Sequence, residues 1–423
     1  MWEKISKIWK DPELRNKLLF VLGLLAIFRL AAHIPIPGID AENLKRFFAS
    51  NQIFGLVNIF SGGALSNFSI VALGVGPYIT ASIIFQLLTM IVPKLEALSK
   101  EENGRQRINQ YTRLLTVPLA FLQAYSMIIL LSRSSRQIIL NTTPFNIFAM
   151  MVTMAAGTIF LMWLGEIISE KKVGNGISLL IFAGIVDRIP SIIQQTIVTY
   201  DRAQIVNLLA FVAIALVTIV GVVMMNEAQR NIPVSYAKQV RGMKMYGGMD
   251  THLPLRVNVA GVIPIIFAIS IILLPGMVAQ FFIGAKTAWL AGAADFVITL
   301  FGNRLFYGAS YFILVFGFTY FYTSVIFHPH QIAENLQKNG GFVPGIRPGA
   351  TTAAYLKYVI NRVILAGALF LGILAILPLI VEKFTGLQSL VIGGTSLLIV
   401  VSVVIETVKQ IEAQMLAREY DKY

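Results

Sequence analysis

Few residues in this 423-residue chain are placed to do covalent or metal chemistry. His328-Pro329-His330 followed by Glu334 offers two imidazoles and a carboxylate, donor types that bind zinc. The proline between the histidines and the loop setting favour a solvated surface instead. Gly62-Gly63 and Gly174-Asn175-Gly176 are too short for phosphate-cradling loops and read as helix starts or bends. There is no HExxH, no G-x-S-x-G and no Walker A pattern. The chain has no cysteine, which removes disulfides, thiol nucleophiles and thiolate metal sites. The expectation is a protein that is not an enzyme and holds no metal or cofactor. Its work is then powered by a partner or a gradient.

The elements that must position any site are membrane helices. Apolar residues make up 56% of the chain and charged residues 13%, where a soluble domain carries about 25% charged residues. Mean hydropathy is +0.74. Continuous apolar runs rich in Leu, Ile, Phe and Gly recur at the length that crosses ~30 Å of hydrocarbon as a helix. β-barrel strands would alternate instead. We read ten spans, roughly 18–36, 70–92, 114–131, 145–166, 177–197, 205–225, 257–280, 306–327, 358–380 and 388–408. An eleventh apolar stretch, Phe54–Phe60, is too short to cross.

Residues 1–17 are too polar and too long for the basic region of a cleavable signal peptide. Trp2, Ile5, Ile8 and Trp9 fall at helical spacing with Lys4, Lys7 and Lys10 elsewhere on the wheel, which fits either an amphipathic helix on anionic lipid or a solvated tail. The loops on the side of the termini hold 23 Lys and Arg, and the opposite loops nine. The positive-inside rule therefore puts both termini in the cytoplasm. The same asymmetry accounts for most of the net charge of +13, so a nucleic-acid ligand is not needed to explain it.

Two cytoplasmic loops, 226–256 and 328–357, are longer than connections require, which points to function. In the first, Ile232–Ala237 and Met243–Tyr246 are β-prone and flank Gly242, the pattern of a protruding hairpin. In the second, Gly340-Gly341-Phe342-Val343-Pro344-Gly345-Ile346-Arg347-Pro348-Gly349 excludes regular helix. Five spans precede Asp201 and five follow it, the arithmetic of inverted repeats. The organisation is a tail over 1–17, halves over 18–200 and 201–408, and a cytoplasmic tail over 409–423.

Ionisable residues avoid the span centres. Arg29, His33, Asp187 and Arg188 lie toward outer ends, and Glu166, Arg362 and Glu406 near cytoplasmic ends. A proton-coupled transporter needs a titrating group near the midplane, so a small-solute transporter is disfavoured. A pore-free scaffold leaves the short eleventh stretch without a role.

Specific motifs then accumulate in order: Phe60-Ser61-Gly62-Gly63-Ala64-Leu65-Ser66, Ala72-Leu73-Gly74-Val75-Gly76-Pro77-Tyr78-Ile79-Thr80-Ala81-Ser82, Gly174-Asn175-Gly176-Ile177-Ser178, Leu253-Pro254-Leu255-Arg256-Val257-Asn258 running into Ala260-Gly261-Val262-Ile263-Pro264, Phe342-Val343-Pro344-Gly345-Ile346-Arg347-Pro348-Gly349 and Gly393-Gly394-Thr395-Ser396. Together they resemble the SecY family, the central subunits of the bacterial protein-conducting channel.

The resemblance implies an all-α integral membrane protein, ten helices in two inverted five-helix halves around an hourglass pore. It implies secretion of unfolded preproteins and lateral release of membrane segments between spans two and three and spans seven and eight. A plug half-helix is implied over about 54–69, with Asn58, Phe60, Ser61, Gly62, Gly63, Ala64, Leu65 and Ser66 at its heart. A pore ring is implied at Val75, Ile79, Ile177, Ile181, Ile266 and Ile399. Val75/Ile79 and Ile177/Ile181 are each i,i+4 pairs on one helix face, and Val75 is smaller than the family's usual isoleucine. Arg241, Lys244, Arg256 and Arg347 are implied as a docking platform for the SecA motor or the ribosome. The implied partners are SecE, SecG, SecA, the ribosome, signal sequences, preproteins, SecDF, YidC and anionic lipids. The implied location is the bacterial cytoplasmic (inner) membrane.

Overall fold

The computed structural model describes residues 9, 11–40, 42–44, 64–65, 67–101, 103–132, 138–139, 143–198, 205–236, 239–241, 244–246, 250–282, 287–385 and 393–421. Among them the chain is predominantly helical. In chain order the elements are α1 Pro12–Ala32, α2 Gly76–Ile91, α3 Pro93–Lys100, α4 Gly104–Ser132, α5 Pro144–Glu170, α6 Gly176–Val198, α7 Ile205–Glu227, β1 Gln229–Tyr236, β2 Gln239–Arg241, β3 Lys244–Tyr246, β4 Asp250–Arg256, α8 Ile263–Phe282, α9 Ala288–Gly302, α10 Arg304–Ile326, α11 Pro329–Lys338, β5 Gly341–Phe342, α12 Ala350–Thr385 and α13 Gly393–Asp421.

Helix boundaries follow local chemistry. Asp11 caps α1: its carboxylate accepts the Glu13 and Leu14 N–H groups at 3.1 and 3.4 Å, and Pro12 supplies a preset φ at the first turn. Pro93 pushes Val92 into an extended conformation (φ −99°, ψ 109°), which ends α2. The chain then bends by 106° into α3. Pro118, Pro190, Pro275 and Pro378 sit inside α4, α6, α8 and α12, as membrane helices tolerate where neighbours meet the freed carbonyls.

A helix occupies most of each expected span. Among the described residues, four stretches are long and apolar enough on their own to cross a membrane: Gln106–Ser132, Pro144–Glu170, Arg304–Lys338 and Ala350–Val381. Gly76–Ile91 qualifies together with Pro93–Ser99 as a bent pair. The second span was expected from residue 70, but helix begins at Gly76 and turns fill 70–75. The seventh, expected from 257, begins at Ile263, the ninth, expected from 358, begins at Ala350, and α9 is a 15-residue apolar helix between α8 and α10 for which the sequence reading had no element.

Two faces of packing position the site. α8 lies against both α2 and α4, joining early and late parts of the chain, while α10 packs along α12 and α7 along α13. Beyond the helices, β4-β1-β5 form an antiparallel sheet and β2-β3 a small hairpin.

Candidate functional site

The six expected ring residues all fall in or against one large apolar cluster. Val75, Ile79, Ile181, Ile266 and Ile399 are all at most 7% exposed and belong to one buried apolar cluster, against which Ile177 packs. Val75 stands just ahead of α2 rather than inside it, yet its carbonyl accepts the Ile79 N–H at 3.0 Å, so the pair keeps helical spacing. Among the described residues no Asp, Glu, Lys or Arg is fully buried.

Glycines hold Ile177 and Ile181 in place. A Cβ on Gly176 would lie 1.8 Å from the Gly165 carbonyl oxygen, so α6 can start this close to α5 only with hydrogen there. Ser169 fills the joint: its hydroxyl donates to the Gly165 carbonyl at 2.8 Å and accepts the Gly176 N–H at 2.9 Å. Asn175 accepts the Ser178 N–H at 3.2 Å, capping α6. The end of the Ile177 side chain then rests over Gly165, where an added Cβ would sit 2.6 Å from its Cδ1. Gly176→Ala therefore destabilises the protein by about 3 kcal/mol, since the clash is with backbone. Gly165→Ala costs less, because a flexible side-chain end can move. Thermal unfolding midpoints of the two variants in detergent test the order.

Of the expected plug, Asn58, Phe60, Ser61, Gly62, Gly63 and Ser66 lie outside the described residues. Ala64 and Leu65 are fully buried, and Ala64 belongs to the cluster that holds the ring. The stretch after them is pinned: the Ile36 N–H donates to the Phe68 carbonyl and the Ile70 N–H to the Ile34 carbonyl, both at 3.0 Å.

The cytoplasmic loops meet. β1 pairs with β4 from Gln229↔Arg256 to Ser235↔Asp250, and Ser235 and Tyr236 pair with Phe342 and Gly341 of β5. The expected hairpin is thus corrected in register. Its first strand partners Asp250–Arg256, while Lys244–Tyr246 partners Gln239–Arg241. Pro254 hides β4 from sequence reading, but β4 is an edge strand, where proline is accommodated. The excluded stretch around 340–349 is indeed non-helical, with α11 and α12 on either side. Ile232, Val234, Leu255 and Val343 root both loops on Leu356 and Ile360 of α12.

The four basic residues occupy three places. Arg241 and Lys244 are register partners of β2 and β3. Arg347 is exposed between Gly345 (φ +80°) and Gly349 (φ +97°), conformations that favour glycine. Arg256 sits at the opposite end of the sheet from β5, in electrostatic range of Glu406 on α13. His328 and His330 are exposed, and no metal-holding group of His, Asp or Glu occurs among the described residues.

Sequence reasoning noted two charges without their partnership: Arg29 of α1 and Asp187 of α6 form an ion pair. It missed a polar chain entirely. Asn258 donates to the Asn226 carboxamide oxygen and Asn226 to the Ser402 hydroxyl, each at 2.8 Å, linking the start of the α8 approach to α7 and α13. The similar depth of Arg29 and Asp187 in their spans was the one available signal.

The model of the family described as SecY matches residues 69–408. The chain belongs to the SecY family. The Streptomyces galbus protein named protein translocase subunit SecY is 43% identical over 442 residues, covering 100% of each chain. A solved protein-conducting channel superposes with a TM-score of 0.66 at 19% identity, covering 95% of this chain and 92% of its own. Sec61 in a canine ribosome–channel complex superposes with a TM-score of 0.63 at 18% identity, over 95% and 92%. These structures share the SecY fold.

Proposed function

We propose that this chain is the channel-forming subunit of a Sec translocon, a passive pore for unfolded preproteins that also releases membrane segments sideways into lipid. The observation that carries it is the convergence of Val75, Ile79, Ile181, Ile266 and Ile399 in one buried apolar cluster. Such a constriction holds back water and ions by dewetting, without a charged filter. Ten helices cross the bacterial cytoplasmic membrane as two inverted halves, 18–200 and 201–408, with both termini in the cytoplasm; the loop charge asymmetry supports this. α2 and α4 facing α8 and α10 form the lateral seam, and the packing of α8 on both α2 and α4 supports it. Residues 54–69 plug the resting pore, which the burial of Ala64 in the ring's cluster supports.

Arg241, Lys244, Arg256 and Arg347 dock SecA or the ribosome through carboxylates or phosphates. The ribosome-bound Sec61 of similar fold supports the second partner. SecE and SecG complete the complex, SecDF, YidC and anionic lipids assist it, and signal sequences open it. The chain is not an enzyme. Proteoliposomes holding this chain with SecE, SecG and SecA test the reading. Preprotein becomes protease-protected on ATP addition; no protection, beside an active reference translocon, contradicts it.

A further inference from the structure

α9 is inverted relative to a water-exposed helix. Its inward side consists of Ala291, Ala294, Val297, Ile298 and Phe301, at helical spacing, with Ala294 4% exposed. Its outward side carries Trp289 and Phe296, seven residues apart and therefore on one face, 70% and 66% exposed. Leu305, just past the elbow, is 82% exposed. The only charged side chain on the helix is Asp295, at the edge of that face.

Geometry holds the helix close to the ends of its neighbours. α9 packs against both α8 and α10. A single residue, Asn303, joins it to α10; Asn303 accepts the Leu305 N–H at 3.0 Å, and Phe301 meets Phe306 edge-on at 5.3 Å across the elbow. At 15 residues α9 is about 22 Å long, too short to cross ~30 Å of hydrocarbon. A crossing there would also put the start of α10 on the wrong side for α8 and α10 to be antiparallel neighbours.

We infer that α9 lies flat in the membrane interface where α8 ends and α10 begins, with Trp289 and Phe296 buried among lipid head groups and upper acyl chains. Tryptophan is enriched at that depth, and an interfacial helix sinks its apolar face about 5–10 Å. Val278 and Phe282 on α8 and Ile313 on α10, the two helices α9 packs against, are exposed apolar side chains as well. α9 thus tethers the outer ends of two packed helices to lipid. The inference rests on the residues of α9, so its failure leaves the channel reading standing.

The absence of cysteine makes the test clean. Phe296→Cys and Asp295→Cys, each reconstituted in phosphatidylcholine and phosphatidylglycerol vesicles, are labelled with a membrane-impermeant maleimide. Cys at 295 should react about tenfold faster than Cys at 296, as an interfacial edge and a lipid face require. Separately, Trp2→Phe, Trp9→Phe and Trp163→Phe leave Trp289 as the sole tryptophan. Its emission should be blue-shifted and quenched more by lipids brominated near the head group than by lipids brominated near the chain end. Equal labelling at 295 and 296 with acrylamide quenching and no bromolipid quenching overturns the inference in favour of water. Protection from acrylamide and bromolipid alike overturns it in favour of a protein partner. Strongest quenching by chain-end bromines overturns it in favour of deep insertion.

Discussion

Ile266→Asn makes the resting channel leak ions and lets preproteins with defective signal segments through. Ile266 is 7% exposed on α8 and shares its cluster with the proposed ring residues Ile79 of α2, Ile181 of α6 and Ile399 of α13. In the proposed ring the seal is hydrocarbon alone. An amide there either draws water into the constriction or stays buried without a partner, which costs about 1–3 kcal/mol. Both outcomes disfavour the closed state, and each 1.4 kcal/mol shifts the closed–open ratio about tenfold. Planar-bilayer conductance should rise, and export of reporters with weakened signals should increase about tenfold or more. Unchanged conductance with unchanged discrimination would remove Ile266 from the ring.

Arg347→Glu abolishes SecA-driven export while the chain still inserts into the membrane. The guanidinium is presented on a fixed backbone. Val343 is buried in the loop core, Gly345 and Gly349 hold positive φ, and the Thr352 hydroxyl donates to the Arg347 carbonyl at 2.8 Å. A charge-assisted contact replaced by like-charge repulsion costs about 2–5 kcal/mol, or roughly thirtyfold and more in docking affinity. Because Arg347 is exposed, the fold loses little. In vitro translocation and SecA binding to vesicles measure the effect. Normal export in the variant would remove the docking role.

Why some features were legible follows from how far the physics reaches along the chain. Apolar spans are local, so the helices emerged from hydropathy with ends off by a few residues. Ile177 and Ile181 read as one face because helical spacing is local too. What needs a distant neighbour was hidden. Nothing in Gly174-Asn175-Gly176 says that the Gly165 carbonyl waits 1.8 Å from a Cβ on Gly176. β4 was concealed by Pro254, whose tolerance depends on being at an edge, a fact of sheet order. The Asn258–Asn226–Ser402 chain joins bonded residues up to 176 positions apart through ordinary polar side chains. α9 was passed over because a search for crossings discards apolar helices of its length. The ring itself became legible through resemblance to a family; isoleucine and valine in a membrane span carry no signal of their own.

The central claim is that a polypeptide passes the apolar ring, and cross-linking tests it most directly. Ile79→Cys and Ile399→Cys are placed singly in this cysteine-free chain, with Leu365→Cys, 47% exposed on α12, as the outward control. A preprotein with one mid-chain cysteine is stalled in transit and oxidised. The account predicts disulfides at 79 and 399 only while the preprotein is stalled, and none at 365. Cross-links at 365 equal to those at the ring, or none at the ring while the preprotein is protease-protected, would contradict it.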